Sequence, residues 1–235
     1  MPSVPKWLAD TMEKVAQKSF HPVTVTHIHK YHPKLKLVRF EGDIQVKEFK
    51  AGNVIEFRVS DREYRHYTPS LYDPVKQICE VIFYLHDKGP GSEWAEKLQI
   101  GDQLKLMGPG GKMSYQPEWK NHLVFGDETS LGLMLSMEQA VLKNGQHFTG
   151  IAELEKQHLD WVDSFGSSNI KAVESSIEYP AIRLTGFEAD LYETCFYLTG
   201  RAKSIQEFRK ELLAKGVNSK QIKTYPYWAE GKKGL

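Results

Sequence analysis

Arg65-His66-Tyr67-Thr68-Pro69-Ser70 decides how the first half of the chain is read. Tyr64, His66 and Thr68 alternate with Arg65, Tyr67 and Pro69, as an extended segment requires, so Arg65 and Tyr67 share a face. Arg65 can fork onto a phosphate with two parallel hydrogen bonds. Tyr67 adds a flat ring with a polar tip, and Thr68 a small hydroxyl beside open backbone groups. Taken alone, the same residues also suit an ordinary half-buried strand with an exposed arginine. The neighbouring sequence decides between the two.

From residue 21 to about 116 the texture is β. Short runs of β-branched and aromatic residues lie at 23–28, 35–40, 54–59, 64–68, 79–86 and 103–107, divided by Gly, Pro and Asp. That spacing is typical of a small barrel or sandwich. One helix is expected within it, with Ser92 as N-cap and Gly101 beyond its end. Upstream, Trp7, Leu8, Met12 and Val15 predict a helical lead-in over 1–19.

Near residue 118 the pattern changes to strand and helix in alternation. His122-Leu-Val-Phe-Gly is an apolar strand, and Asp127-Glu-Thr-Ser opens a helix from Leu131 to Leu142 that Asn144-Gly145 closes. Strands follow at 148–154, 170–173 and 194–200, then a helix over 204–215 and a last strand or extended tail over 221–228. This alternation predicts an α/β doubly wound domain with a parallel sheet over 118–235.

The chain has 235 residues and a formal net charge of +1. A balance so close to neutral argues against a general nucleic-acid binder. The sequence lacks an apolar run long enough to span a bilayer, and its start lacks the pattern of a secretory signal, so a cytoplasmic location without membrane insertion is expected. Cys79 and Cys195 make no ligand or redox spacing and read as small buried hydrophobes. His27, His29 and His32 alternate along a strand with no carboxylate or cysteine to complete a site, so no structural metal is expected.

Several short motifs suit a nucleotide-like ligand, although each also reads as plain turn chemistry. Gly89-Pro90-Gly91-Ser92 precedes a helix whose N-terminal N–H groups favour an anion. Gly108-Pro109-Gly110-Gly111-Lys112 leaves a strand as a turn. Gly126-Asp127-Glu128-Thr129-Ser130 occupies the first strand-to-helix turn of the α/β part, where a pyrophosphate would bind. It is not a Gly-x-Gly-x-x-Gly fingerprint, and its two carboxylates would repel phosphate.

Together, Arg65-x-Tyr-Thr, His86-x-x-Gly-Pro-Gly-Ser-x-Trp-Ala, Gly101-Asp, Gly108-Pro-x-Gly, Gly126-Asp-Glu-Thr and Tyr227-Trp228-x-x-Gly231 occur in the order found in siderophore-interacting proteins. The chain resembles that family, FAD-dependent ferric-siderophore reductases of the ferredoxin-reductase superfamily, over roughly residues 20 to 234. The resemblance implies an N-terminal antiparallel β-barrel that binds FAD over 20–117, then an NAD(P)H-binding-like domain. It implies that Arg65, Tyr67 and Thr68 hold the FAD phosphate and isoalloxazine, and that His86, Gly91 and Ser92 line the diphosphate and adenine side. Asp127, Glu128 and Thr129 would form the nicotinamide-side loop, with Tyr227 and Trp228 by the flavin or the substrate mouth. The chain departs from the family at Thr199-Gly200-Arg201, where Gly-Glu is usual.

The donor expected is NADH or NADPH, with reduced ferredoxin as an alternative. Glu153 and Glu155, at the end of the second α/β strand, can accept hydrogen bonds from a ribose 2′-hydroxyl and would repel a 2′-phosphate, which tilts the choice to NADH. A solvated, charged strand end explains them equally well. Lys112 and Arg201 are the candidate contacts for an anionic ferric siderophore or other ferric chelate, while Lys232 and Lys233 fit a solvated tail. No catalytic side chain is expected, because moving an electron through a flavin needs no general acid or nucleophile. The alternatives are a flavin oxidoreductase serving a protein acceptor and a ferric-chelate carrier that does not turn over.

Overall fold

The computed structural model describes residues 5–15, 19–44, 49–111, 113–175, 184, 187 and 189–232. The chain divides into two compact units, Met1–Lys112 and Met113–Lys233. Met113 to Gln116, just ahead of the first parallel strand, group with the second unit; the Gln116 amide, for instance, donates to Tyr197 Oη at 3.0 Å.

The first unit begins with α1 (Lys6–Val15) and continues as strands β1 (Phe20–His32), β2 (Leu35–Gly42), β3 (Val54–Ser60), β4 (Glu63–Tyr67), β5 (Leu71–Asp73), β6 (Ile78–Tyr84) and β7 (Gln103–Gly110). They form one antiparallel half-barrel in the order β4-β3-β7-β1-β2-β6-β5. Alternate residues of these strands, among them Val25, Val38, Phe40, Ile55, Phe57, Cys79, Val81 and Leu106, make the core. Each large apolar side chain buried there contributes roughly 1.5–3 kcal/mol.

Helix α2 (Pro90–Lys97) packs on this core between β6 and β7 in sequence. Its N-cap is Gly89, not Ser92 as the sequence suggested. Proline favours the first helical position, where its missing N–H is no loss, and this sets the start three residues earlier. Ser92 is thereby drawn into the first turn and buried. On the long strand β1, His27 and His29 are exposed.

The second unit is a parallel sheet of β8 (Asn121–Gly126), β9 (His147–Leu154), β10 (Ile170–Glu174), β11 (Thr194–Arg201) and β12 (Ile222–Trp228), in the order β10-β9-β8-β11-β12. Helix α3 (Leu131–Lys143) follows β8, and α4 (Ala202–Ala214) joins β11 to β12. β8 and β11 are apolar and almost wholly buried because they lie inside the sheet. Edge strand β12 instead alternates between half-buried and exposed residues, and its place on the edge tolerates Pro226. Helix α4 buries Ile205, Phe208 and Leu212, and the Phe208 ring meets Phe125 at 5.0 Å. Among the described residues no helix is long and apolar enough to cross a membrane.

Candidate functional site

In the half-barrel, β4 pairs with β3 so that Arg65 lies opposite Phe57 and Tyr67 opposite Ile55. Arg65 and Tyr67 therefore share a face, and the first turn of α2 rests against that face. A Cβ on Gly91 would stand 2.9 Å from Tyr67 Oη and 3.3 Å from Arg65 Cγ, so glycine is required by the close approach. The Arg65 guanidinium donates to the Tyr64 carbonyl at 2.8 Å and to Glu63 Oε1 at 3.0 Å. These contacts hold one donor on each terminal nitrogen, of the five a guanidinium carries.

Tyr67 is more deeply embedded than the sequence suggested. Its ring meets Phe83 edge-on at 4.8 Å and lies 6.1 Å from Trp94 of α2, and burial pushes its phenol pKa up. Thr68 follows β4 and is half-buried. His86 is half-buried beside Tyr84, with ring centroids 5.6 Å apart, and burial lowers its pKa and keeps the imidazole neutral near pH 7. Lys112 lies outside the described residues.

This arrangement fits a flavin diphosphate. No side chain caps the N-terminus of α2, where the first N–H groups and the positive end of the helix dipole lie. Arg65 stands at that end, and Gly91 lets the first turn of the helix approach Arg65 and Tyr67 closely.

In the parallel sheet the strand order reverses between β8 and β11, and open α/β sheets bind ligands at such a point, beyond the carboxyl ends of the strands. Asp127 follows β8 and is buried. It caps the turn Glu128–Ser130 by accepting from the Thr129 amide at 3.0 Å, and its Oδ2 accepts from Trp228 Nε1 at 2.6 Å. Burial pushes its carboxyl pKa up to about 6. Across from it on β11, Gly200 has φ +85, and a Cβ there would stand 2.6 Å from Asp127 Oδ2. Thr199 Oγ1 donates to the Phe125 carbonyl at 3.0 Å and lies 2.9 Å from Ser130 Oγ.

Asp127, Thr129 and Trp228 thus come together, whereas Glu128 turns inward. Its Oε1 accepts from the Glu155 amide at 2.9 Å and pairs with His158 Nδ1 at 2.8 Å, and His158 stacks on Trp161 at 3.9 Å. Glu153 and Glu155 do not act as a pair: Glu153 is buried, and Glu155 is exposed. The strand ends at Leu154, so the alternation that would put both on one face stops there. Arg201 ends β11, with Nη1 3.8 Å from Glu230 Oε1 and a buried Nε that has no hydrogen-bond partner among the described residues. Tyr227 is half-buried on β12, its ring 5.7 Å from Tyr225.

Sequence reasoning missed Glu63, the carboxylate that orients Arg65, although its i−2 position on the same strand face was a readable signal. It also missed the Glu128–His158 pair, whose 30-residue separation gives no local sign.

An antiparallel half-barrel followed by a parallel α/β sheet is the architecture the sequence predicted. Residues 24–113 match the family model of the siderophore-interacting FAD-binding domain. That match covers most of the half-barrel unit and bears out the resemblance read in the sequence. The chain is similar to the NADPH-dependent ferric-chelate reductase of Escherichia coli (strain K12), with 22% identity over 70% of this chain and 65% of that protein. It is also similar to NADH-cytochrome b5 reductase 1 of Dictyostelium discoideum, with 31% identity over 38% of this chain and 32% of that one. These matches span less than two thirds of either relative's length. Among solved structures, the siderophore-interacting protein from Acinetobacter baumannii shares the fold with a TM-score of 0.71 at 19% identity, over 91% of this chain and 92% of that one.

Proposed function

We propose that the chain is an FAD-dependent reductase of ferric siderophores, taking electrons from NAD(P)H and delivering them to iron in the cytoplasm. The observation that carries this reading is the meeting of Arg65, Tyr67 and Gly91 at the uncapped N-terminus of α2, within a siderophore-interacting FAD-binding domain.

Siderophores hold ferric iron with hard oxygen donors. One added electron gives a softer, less charged ion that such ligands bind far more weakly, so iron leaves without destruction of the chelator. FAD supplies two-electron uptake from a hydride donor together with single-electron release. The chain's own residues bind and orient. Arg65 and the first turn of α2 would neutralise the diphosphate, and Tyr67, wedged among Phe57, Phe83 and Trp94, would offer a fixed ring to the cofactor. At the sheet's switch point, Asp127 holds the turn ahead of α3 in shape and presents the Trp228 indole, while Arg201 offers positive charge to an anion.

The donor favoured here is NADH, because Glu155 stands exposed just past β9 and would repel a 2′-phosphate. The E. coli relative is named for NADPH, which makes the donor a direct point of comparison. Anaerobic bleaching of the yellow protein by NADH, NADPH and reduced ferredoxin in turn, followed by reoxidation with ferric chelates, tests the proposal. Bleaching by a pyridine nucleotide and recovery on adding the ferric complex is the expected result, and failure of all three donors overturns it. The similarity to a cytochrome b5 reductase favours a second reading, in which the acceptor is a protein. In that case a haem protein would reoxidise the flavin faster than any ferric chelate.

A further inference from the structure

Lys36 is the most unusual buried residue of the half-barrel. Lysine is almost never fully buried unless paired, yet Lys36 on β2 is only 2% exposed. Its ammonium has no carboxylate within salt-bridge distance among the described residues. It donates instead to three backbone carbonyls, those of Ala95 at 2.8 Å, Glu96 at 3.1 Å and Leu98 at 3.0 Å. All three donors of the ammonium are thereby used. The acceptors are the terminal carbonyls of α2, which no continuing helix can satisfy. Burial lowers the pKa of Lys36, so the environment charges a penalty for the ammonium that these carbonyls must offset.

The opposite end of the same helix is the end that faces Arg65 and Tyr67. With eight residues, α2 is about 12 Å long and too short to hold its shape unaided. Its side is anchored by Trp94, Ala95 and Leu98 in the core, but apolar packing permits sliding along the axis. Three directed hydrogen bonds to the last turn do not. A cation at the negative end also completes the dipole whose positive end points at the proposed diphosphate.

We propose that Lys36 is a positioning residue for the flavin diphosphate, clamping the C-terminal end of α2 so that its N-terminal N–H groups stay in register with Arg65. The proposal rests on the reading that places the diphosphate at that helix end.

The test compares apo-protein prepared from wild type, Lys36→Met, Lys36→Gln, Lys36→Arg and Arg65→Ala. FAD, riboflavin and ADP are titrated into each, and far-UV circular dichroism confirms the folded state. Methionine keeps the length and apolar stem of lysine but gives no donor. Lys36→Met is expected to weaken FAD and ADP by about tenfold, the scale of one lost charge-assisted contact. Riboflavin, which has no phosphate, should bind as to wild type, and Lys36→Arg should restore most of the FAD affinity. If Lys36→Met does not fold, Lys36→Gln, which retains two donors, decides by the same FAD-to-riboflavin ratio. An unchanged ratio in the folded variant overturns the proposal, since a purely structural lysine would lower stability and weaken every flavin alike. Undiminished FAD binding by Arg65→Ala would instead remove the underlying reading of the site, an outcome the Lys36 variants alone cannot produce.

Discussion

The indole Nε1 of Trp228 donates to the buried Oδ2 of Asp127 at 2.6 Å, which ties the last strand of the parallel sheet to the turn that follows its first. The two residues are 101 positions apart. The bond sits at the switch point of the sheet, so the charge on Asp127 governs both the turn and the tryptophan.

That charge changes within an accessible pH range. Burial raises the Asp127 carboxyl to about 6 in the folded protein, against about 4 in the unfolded chain. The folded state therefore binds this proton more tightly than the unfolded one. The corresponding stability is full below about pH 4 and declines as pH rises through about 6, a loss of about 3 kcal/mol in all. Denaturant melts of wild type and Asp127→Asn across pH 4 to 7 should show the wild type losing ground to the variant over that window. A constant difference between the two would sink the assignment. Trp228 fluorescence should titrate over the same range.

Gly200 has no room for a side chain. At φ +85 an L-residue is strained by about 1–2 kcal/mol, and the added Cβ would meet Asp127 Oδ2 at 2.6 Å. Gly200→Ala should destabilise the protein by about 2–4 kcal/mol, read from the denaturant midpoint, and shift the Trp228 emission. A variant as stable as wild type would mean that Asp127 moves aside freely.

Arg65 should carry much of the flavin affinity. Removing its guanidinium deletes a charge-assisted contact to the diphosphate, a loss of about 2–4 kcal/mol in cofactor binding. Arg65→Ala is expected to purify pale or to release flavin on dilution, as absorbance of the retained fraction would show. Full occupancy would place the diphosphate elsewhere.

Much of the fold was legible because buried parallel strands read as apolar runs, as at Leu123-Val124-Phe125 and Phe196-Tyr197-Leu198, and half-barrel strands read by alternation. What escaped depended on partners distant in sequence. Lys36 lies between Leu35 and Leu37, so alternation sends it outward, whereas its long stem runs beneath a helix formed some 60 residues later. Tyr67 reads from the sequence as a candidate cofactor residue, but its aromatic cluster brings Phe57, Phe83 and Trp94 from three other elements. The short helix Lys156–Phe165 is 3₁₀, and a 3.6-residue period does not report it.

The donor preference should reside in Glu155 alone, since Glu153 is buried. NADH is expected to bleach the flavin faster than NADPH in stopped-flow measurements, and Glu155→Gln should narrow the gap by relieving repulsion of the 2′-phosphate. A strong wild-type preference for NADPH would rule out this role for Glu155.

Arg201 should set the response to acceptor charge. A net charge of +1 gives no long-range attraction for an anionic ferric chelate, so any steering must act within about a Debye length, roughly 8–10 Å. Arg201 brings its cation to the carboxyl end of β11, where its Nε is buried without a partner among the described residues and Glu230 is a loose neighbour at 3.8 Å. Arg201→Ala should slow reduction of anionic ferric chelates, flatten the salt dependence of that rate, and leave reduction of a neutral quinone unchanged. Equal losses for neutral and anionic acceptors would assign Arg201 to the flavin or the donor, and the anion contact would then have to lie elsewhere.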